Sequence, residues 1–313
     1  MNQARNPDRV GEDVLDAVMG VQKRFFPLDL SIHYPKLRDL WYQSGRLSWD
    51  PRRDIPWDEF DEKKYSREEL DAGRRFWSHR TWIEYQGMFT TTAELLGYSL
   101  DGSRDFDHKL YLAMKILEEA RHVEVSYLFA EKLGGHVQKP DSEQFSKRID
   151  YQLANRTIEG RVLSECDVIH HWSGEMIAVE LFKGRYATAT DPIAKAICKY
   201  ILRDEARHIQ SALIYLAERV PLLSEAERKV VERALVWQIE NVELKGLHSI
   251  GRIAGEHVQK ERGAFTLAKN AGLGGETPEE QDECLRRAIV KMRATVAPWG
   301  LKVPQYPVLG EAA

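Results

Sequence analysis

Apolar residues recur at three- and four-residue intervals along nearly every long segment of the chain, the period of a helix with one buried face. Alternating apolar-polar runs are almost absent, and no Asn-Gly or Asp-Gly pair joins two of them, so hairpins are not expected. The pattern predicts helices over 8–26, 33–45, 67–97, 107–133, 142–160, 165–187, 192–219, 224–260 and 278–296. Local chemistry agrees at several ends. Ser66 with Glu69 forms a capping-box pattern, Asp191 before Pro192 is an N-cap followed by proline at the first helical position, and Gly97 and the pair Gly134-Gly135 are stop signals. Residues 45–65 are rich in Trp and Pro and carry no period, as expected of an ordered irregular segment lying over a helical surface.

Four of these helices, 67–97, 107–133, 165–187 and 192–219, are long and joined in pairs by short loops. Such pairs run antiparallel, so the expected fold is all-α: a four-helix bundle over about 67–219, with additional N- and C-terminal helices, the latter over 224–296. No stretch reads as a linker, so residues 1–313 are expected to form a single domain.

Composition narrows the function without naming it. A chain of 313 residues with 43% hydrophobic content can bury a substantial core. A net charge of −4 with mixed signs gives no reason to expect nucleic-acid binding. The apolar runs are too short to span a bilayer, and the first residues lack the apolar stretch of a signal peptide. Cys166, Cys198 and Cys284 are widely spaced and form no CxxC, which argues against a disulfide framework or zinc ribbon and fits a reducing cytoplasm.

The chemistry is concentrated in a repeat. Glu118-Glu119-Ala120-Arg121-His122 reappears as Asp204-Glu205-Ala206-Arg207-His208. On a helix, Glu119 and His122 share a face, as do Glu205 and His208, because residues three apart are neighbours. A carboxylate and an imidazole on one face can hold one metal ion, and two such pairs facing each other across a bundle can hold two. That geometry needs one further carboxylate from each remaining helix. Counting back from the turns to the level of Glu119 and Glu205 selects Glu84 and Glu175. Glu94 and Glu180 sit too near their turns, and Glu94 reads as a solvated last-turn residue. His171, one turn before Glu175, is either an extra ligand or, more in keeping with a lone histidine on a core-facing helix, a structural one. Carboxylates and imidazoles without thiolates favour iron or manganese over zinc.

With these residues in place, the sequence resembles the ferritin-like di-iron carboxylate superfamily, in particular the R2-like ligand-binding oxidases, the ribonucleotide reductase small subunits and the acyl-carrier-protein desaturases. The resemblance covers roughly residues 35–220. It implies two iron ions, or one manganese and one iron, with dioxygen as co-substrate. It also implies a ferredoxin or reductase as possible electron donor and a homodimer. Reductase-like proteins carry a Trp-x-Pro stretch whose Trp reaches a metal-bound His through an Asp; Trp49-Asp50-Pro51 and Asp204 fit. This implies pairing of Asp204 with His122 and of Glu118 with His208, with Arg121 and Arg207 pairing with the two acids. Ser126 stands where radical-storing subunits place a Tyr. Gly87 and His170 stand where the ligand-binding oxidases form a Val–Tyr cross-link, which neither residue can make.

The expected activity is therefore oxidation of a small, partly hydrophobic organic substrate by hydroxylation, desaturation or N-oxygenation. A radical or electron-transfer subunit is the alternative and an iron-oxidising protein the third reading. The substrate pocket is expected one turn from the ligands, among Gly87, Met88, Thr91, Ser126, Phe129, Ala178, Val179 and Phe182.

Overall fold

The computed structural model describes residues 30–100, 105–138, 157–158, 161–253 and 256–311. The predicted helix over 8–26 and most of that over 142–160 lie outside the described residues. The helices are α1 (Pro35–Arg46), α2 (Arg67–Leu100), α3 (Asp107–Lys132), α4 (Ser164–Thr188), α5 (Pro192–Arg219), α6 (Glu225–Gln238), α7 (Glu256–Asn270) and α8 (Pro278–Val296). Helix α2 packs along α3, and α4 along α5, as the short connections require. Helix α1 lies on α3 and α5, α7 on α2, and α6 and α8 on α4. The fold is all-α, a ferritin-like bundle with added helices around it.

The capping chemistry is realised. Ser66 and Glu69 exchange hydrogen bonds at the start of α2, and Asp191 accepts from the backbone N–H groups of Ile193 and Ala194 at the start of α5. Ser224 with Glu227 and Thr277 with Glu280 form further capping boxes.

Three boundaries differ from the sequence expectation. Helix α2 runs through Gly97 to Leu100, because Gly97 is buried and Tyr98, also buried, is tied to Asp105 by its hydroxyl. The last residues of the 142–160 prediction are extended: Thr157–Ile158 (β1) pairs antiparallel with Arg161–Val162 (β2), and β-branched residues suit that ladder. The single helix predicted over 224–260 is broken. After Gln238 comes a π-helical turn, Ile239–Glu243, then a turn at Gly246 with φ +101° and a 3₁₀ turn over Ile250–Arg252. A Cβ at Gly246 would lie 2.5 Å from Ile253 Cγ1, so the turn excludes a side chain there.

Two apolar clusters fill the bundle. One holds Tyr98, Leu112, Ile169, Leu216 and Ile289; the other holds Phe76, Trp77, Phe129, Ile197 and Phe265. Along α2, α3 and α5 the repeated pentads and Glu84 fall between them, in a polar layer. Residues 47–65 lie across the bundle with two short 3₁₀ turns, and Trp49 and Ile55 are buried beneath them.

Candidate metal centre

The helices bring six predicted residues to one place. Glu84, Glu119, His122 and Glu205 form one group, and Glu119, Glu175, Glu205 and His208 a second; within each, one ligand atom per residue lies within 4.8 Å of all the others. Glu84 comes from α2, Glu119 and His122 from α3, Glu175 from α4, and Glu205 and His208 from α5. Glu119 and Glu205 belong to both groups, so each spans the centre. All six are buried, with at most 5% of their surface exposed.

The imidazoles point their Nδ1 atoms inward. His122 Nδ1 lies 3.6 Å from Glu84, 3.6 Å from Glu119 and 3.5 Å from Glu205. His208 Nδ1 lies 3.4 Å from Glu119, 3.5 Å from Glu175 and 3.1 Å from Glu205. The outward nitrogens meet acids: His122 Nε2 is 3.3 Å from Asp204 Oδ2, and His208 Nε2 is 3.0 Å from Glu118 Oε2. An acid on the second nitrogen keeps the proton there and leaves Nδ1 free to bind a cation. Trp49 donates its indole N–H to Asp204 at 2.8 Å, completing the chain Trp49–Asp204–His122.

The arginines divide differently from expectation. Arg207 reaches both acids, Glu118 at 2.5 Å and Asp204. Arg121 reaches neither and donates to Ser48 Oγ at 2.8 Å. Arg207 is buried among α1, α3 and α5, whereas Arg121 faces the irregular segment that covers α3.

Several site residues were not foreseen. Arg80, one turn before Glu84, forms a buried ion pair with it. Lys115, one turn before Glu119, is buried 3.0 Å from Glu175 and 3.8 Å from Glu94. Helical spacing from the ligands was the only available signal, and a mid-helix Arg or Lys reads as solvated until its neighbours are known. Glu94 is the matching correction. It is buried, not solvated, because α3 and α4 press Lys115, His108 and His171 against it. His171 bridges Glu94 at 3.0 Å and Glu175 at 3.1 Å and belongs to neither four-residue group. Glu180 stays apart from the centre and pairs with Lys291 on α8.

These charges act on one another. Burial raises the Glu84 carboxyl, but Arg80 and His122 outweigh it and hold its pKa below the usual carboxylate range. Burial, then the carboxylates of Glu175 and Glu119, push Glu205 well above the usual range. Burial works against protonation of His122 and His208, yet the surrounding acids raise both well above the ordinary value. The protein alone thus presents an excess of negative charge that needs protons or cations.

A narrow cavity of about 30 Å³ adjoins the carboxylates. Gly87 and Ala178 of the expected pocket line it, together with Arg80, Ile83, Gly174, Leu247 and His248. Met88, Thr91, Ser126, Phe129, Val179 and Phe182 do not line it. Phe129 is turned into an aromatic cluster with Trp57, Phe60 and Trp77, and Phe182 lies under the Arg80 and Arg185 guanidinium groups. Thr91 donates back to the Gly87 carbonyl, and Ser126 and Val179 are buried while Met88 is half-buried. Gly87 matters for space: a Cβ there would lie 2.8 Å from Glu119 Oε2.

No family model matches the chain, and no curated protein matches it in sequence. Solved structures do match. An R2-like ligand-binding oxidase with an aerobically reconstituted Mn/Fe cofactor superposes with a TM-score of 0.58 at 17% identity, covering 85% of this chain and 93% of that one. Another, with an aerobically reconstituted metal cofactor after photoconversion, gives 0.57 at 16% identity over 83% and 91% of the two chains. The likeness is one of fold, and the buried carboxylate–histidine cluster fits a site for two metal ions.

Proposed function

We propose that the chain is a di-metal carboxylate oxidase that activates dioxygen and oxidises a small organic molecule. One observation carries the reading: two four-residue donor groups share Glu119 and Glu205 at the level of the bundle where α2, α3, α4 and α5 meet. The donors suit a cation. Glu119 Oε1 and His122 Nδ1 are buried and make no hydrogen bond of good geometry among the described residues, an arrangement that is unfavourable unless a cation completes it. Glu84 and His122 would hold one ion, Glu175 and His208 the other, with Glu119 and Glu205 between them. Donors of this kind suit two iron ions or one manganese and one iron, the pairing named for the structural neighbours. Such a pair, when bound, supplies the electrons that reduce dioxygen and the oxidant that the substrate meets.

The chain's own part is preparation and containment. Asp204 and Glu118 hold the imidazole protons on the outward nitrogens. Arg80 pairs with one oxygen of Glu84, and the Lys115 ammonium lies 3.0 Å from one oxygen of Glu175, so each end carboxylate has a buried cation beside it. The two apolar clusters exclude water above and below the polar layer. The small cavity beside Gly87 leaves room next to the carboxylates. Hydroxylation, desaturation and N-oxygenation all fit these roles, and an external ferredoxin or reductase is the expected source of further electrons.

A radical or electron-transfer subunit is the second reading, favoured by the Trp49–Asp204–His122 chain. Ser126 in place of a tyrosine speaks for use of the oxidant on a substrate. The test is anaerobic loading with Fe(II), or Fe(II) plus Mn(II), followed by metal analysis and spectra on exposure to air. Two ions per chain and oxygen consumption without a tyrosyl radical signal support the oxidase. Absence of stoichiometric metal overturns it, and a stable tyrosyl radical selects the second reading.

A further inference from the structure

One histidine at the site has no role in holding metal and was not foreseen from the sequence. His248 lines the same cavity as Glu84, Glu119 and Gly87. It arrives from outside the four-helix bundle, on the segment that interrupts the predicted 224–260 helix. The π-helical turn Ile239–Glu243 and the Gly246 turn carry it there. The placement is anchored by a small apolar cluster in which Val242 and Leu247 pack on Ile83 of α2. π-Turns interrupt helices at an energetic disadvantage and recur at functional sites.

The imidazole is held by a buried relay. Glu243 Oε1 accepts from Gln238 Nε2 at 2.9 Å, and Glu243 Oε2 lies 2.7 Å from His248 Nδ1. The Glu243 side chain is 0% exposed and that of His248 7%. Nδ1 is the ring nitrogen on the carboxylate, and in the neutral ring that donates to Glu243 the acceptor is Nε2. No hydrogen bond joins Nε2 to another of the described residues. A carboxylate, a fixed ring and an open acceptor at a cavity wall make a device for reading one hydrogen-bond donor. Structural packing alone would be served by an apolar side chain beside Leu247.

We propose that the Glu243–His248 pair is the substrate-orienting group of this cavity, and that His248 Nε2 accepts a hydrogen bond from a hydroxyl or N–H group of the substrate. The substrate class is thus a slim alcohol or amine whose donor end anchors at His248. At about 30 Å³ the cavity beside Gly87, Gly174 and Ala178 has room for the donor end of such a molecule and not for the whole of it. The assignment rests on the oxidase reading for its chemistry, but not for its binding geometry.

The experiment uses two isomeric probes, 1-butanol and diethyl ether, which match in size and differ in the donor. Protein loaded with diamagnetic Zn(II), and the metal-free protein, are labelled with ¹⁵N-histidine and titrated by NMR. The expected result is an Nδ1–H tautomer for His248, an Nε2 shift on adding 1-butanol, and roughly two- to tenfold tighter binding of the alcohol, the range of one net hydrogen bond. His248→Phe should bind both isomers alike. Glu243→Gln offers an amide donor to Nδ1, so it should move the proton to Nε2 and abolish the alcohol preference. An Nε2–H tautomer in the unaltered protein overturns the proposal, as does an alcohol preference that survives in His248→Phe. Failure of Zn(II) and Fe(II) to bind sinks the metal reading alone, because tautomer and isomer preference are still read on the metal-free protein.

Discussion

At the His122 end of the centre the outward nitrogen meets Asp204, which also takes the Trp49 N–H, and the end carboxylate Glu84 is gripped by Arg80. At the His208 end the outward nitrogen meets Glu118, no indole among the described residues bonds to that acid, and Glu175 is set among Lys115, His171 and, beyond them, Glu94. The same pentad produced both ends. The donor atoms follow its symmetry and the surroundings do not. One end is connected towards the covering segment by Trp49, which also stacks on Tyr200 at 4.8 Å. The other is connected inward, through Lys115 and Glu94 to His108. The two positions therefore differ in the electrostatic environment that each offers a cation.

The largest effects should separate shared from unshared carboxylates. Glu119→Ala and Glu205→Ala each remove a donor from both groups, and metal analysis after anaerobic loading should find neither ion retained. Glu84→Ala and Glu175→Ala each remove a donor from one group, and one ion per chain should remain. Loss of both ions in Glu175→Ala would mean that the ends are not independent.

Next come the buried cations. Lys115→Met strands Glu175 and Glu94 without their nearest ammonium, and removing one partner of a buried pair costs about 3–5 kcal/mol. In chelator-treated protein the midpoint of thermal unfolding should fall by roughly 6–15 °C on that basis. Arg80→Met should fall less, because it deprives one buried carboxylate of its cation, whereas Lys115→Met deprives two. Equal losses would show that the contact of Lys115 with Glu94 adds nothing.

The outward acids give a smaller, position-specific effect. Asp204→Asn should weaken the ion at His122, and Glu118→Gln the ion at His208, each by about 10–100-fold in affinity. Arg207→Met should weaken both, since it holds both acids, and Arg121→Met neither. Mn(II) and Fe(II) competition titrations read the two positions separately.

The legible part of this site was the part set by helix geometry. Glu84 and Glu175 followed from counting, because the rise per residue fixes which positions stand level across a bundle. Asp204 and Glu118 followed from the resemblance, and their contacts with the outward nitrogens are consistent with it. Lys115, Arg80 and Glu94 were illegible for a different reason. A charged residue on a helix is solvated or buried according to what packs on it, and that depends on three other helices. His248 lies in segment 224–260, where pattern and structure part. The helical period continues through it, while the decisive events are a π-turn and a glycine at positive φ, which leave little trace in hydrophobic pattern. Arg121 and Arg207 occupy equivalent places in the repeat, and only the covering segment around Ser48 separates their roles.

The smallest effect belongs to Glu180, the twin of Glu94 in the sequence, since both stand near the turns that end their helices. Glu94 is enclosed by the bundle, whereas Glu180 joins α4 to α8 through Lys291 and Arg287, with Lys183 beside it. Burial raises the Glu180 carboxyl, but these cations outweigh it and bring its pKa down to about 2. A depressed carboxylate stabilises the fold fully above its unfolded pKa, ordinarily about 4.3, and loses that contribution as pH falls towards the folded value. Its partners are partly exposed, so the effect is that of a screened pair, about 0.5–1 kcal/mol, or roughly 1–3 °C in a chain of this size. Glu180→Gln should therefore unfold slightly earlier than the unaltered protein at pH 6, and the gap should close between about pH 4 and pH 2. Glu94→Gln should show a larger gap at pH 6, because its partners are inside the bundle and unscreened. Equal gaps for the two would mean that the enclosure of Glu94 has no energetic consequence, and the contrast between the inward network and the surface would fail with it.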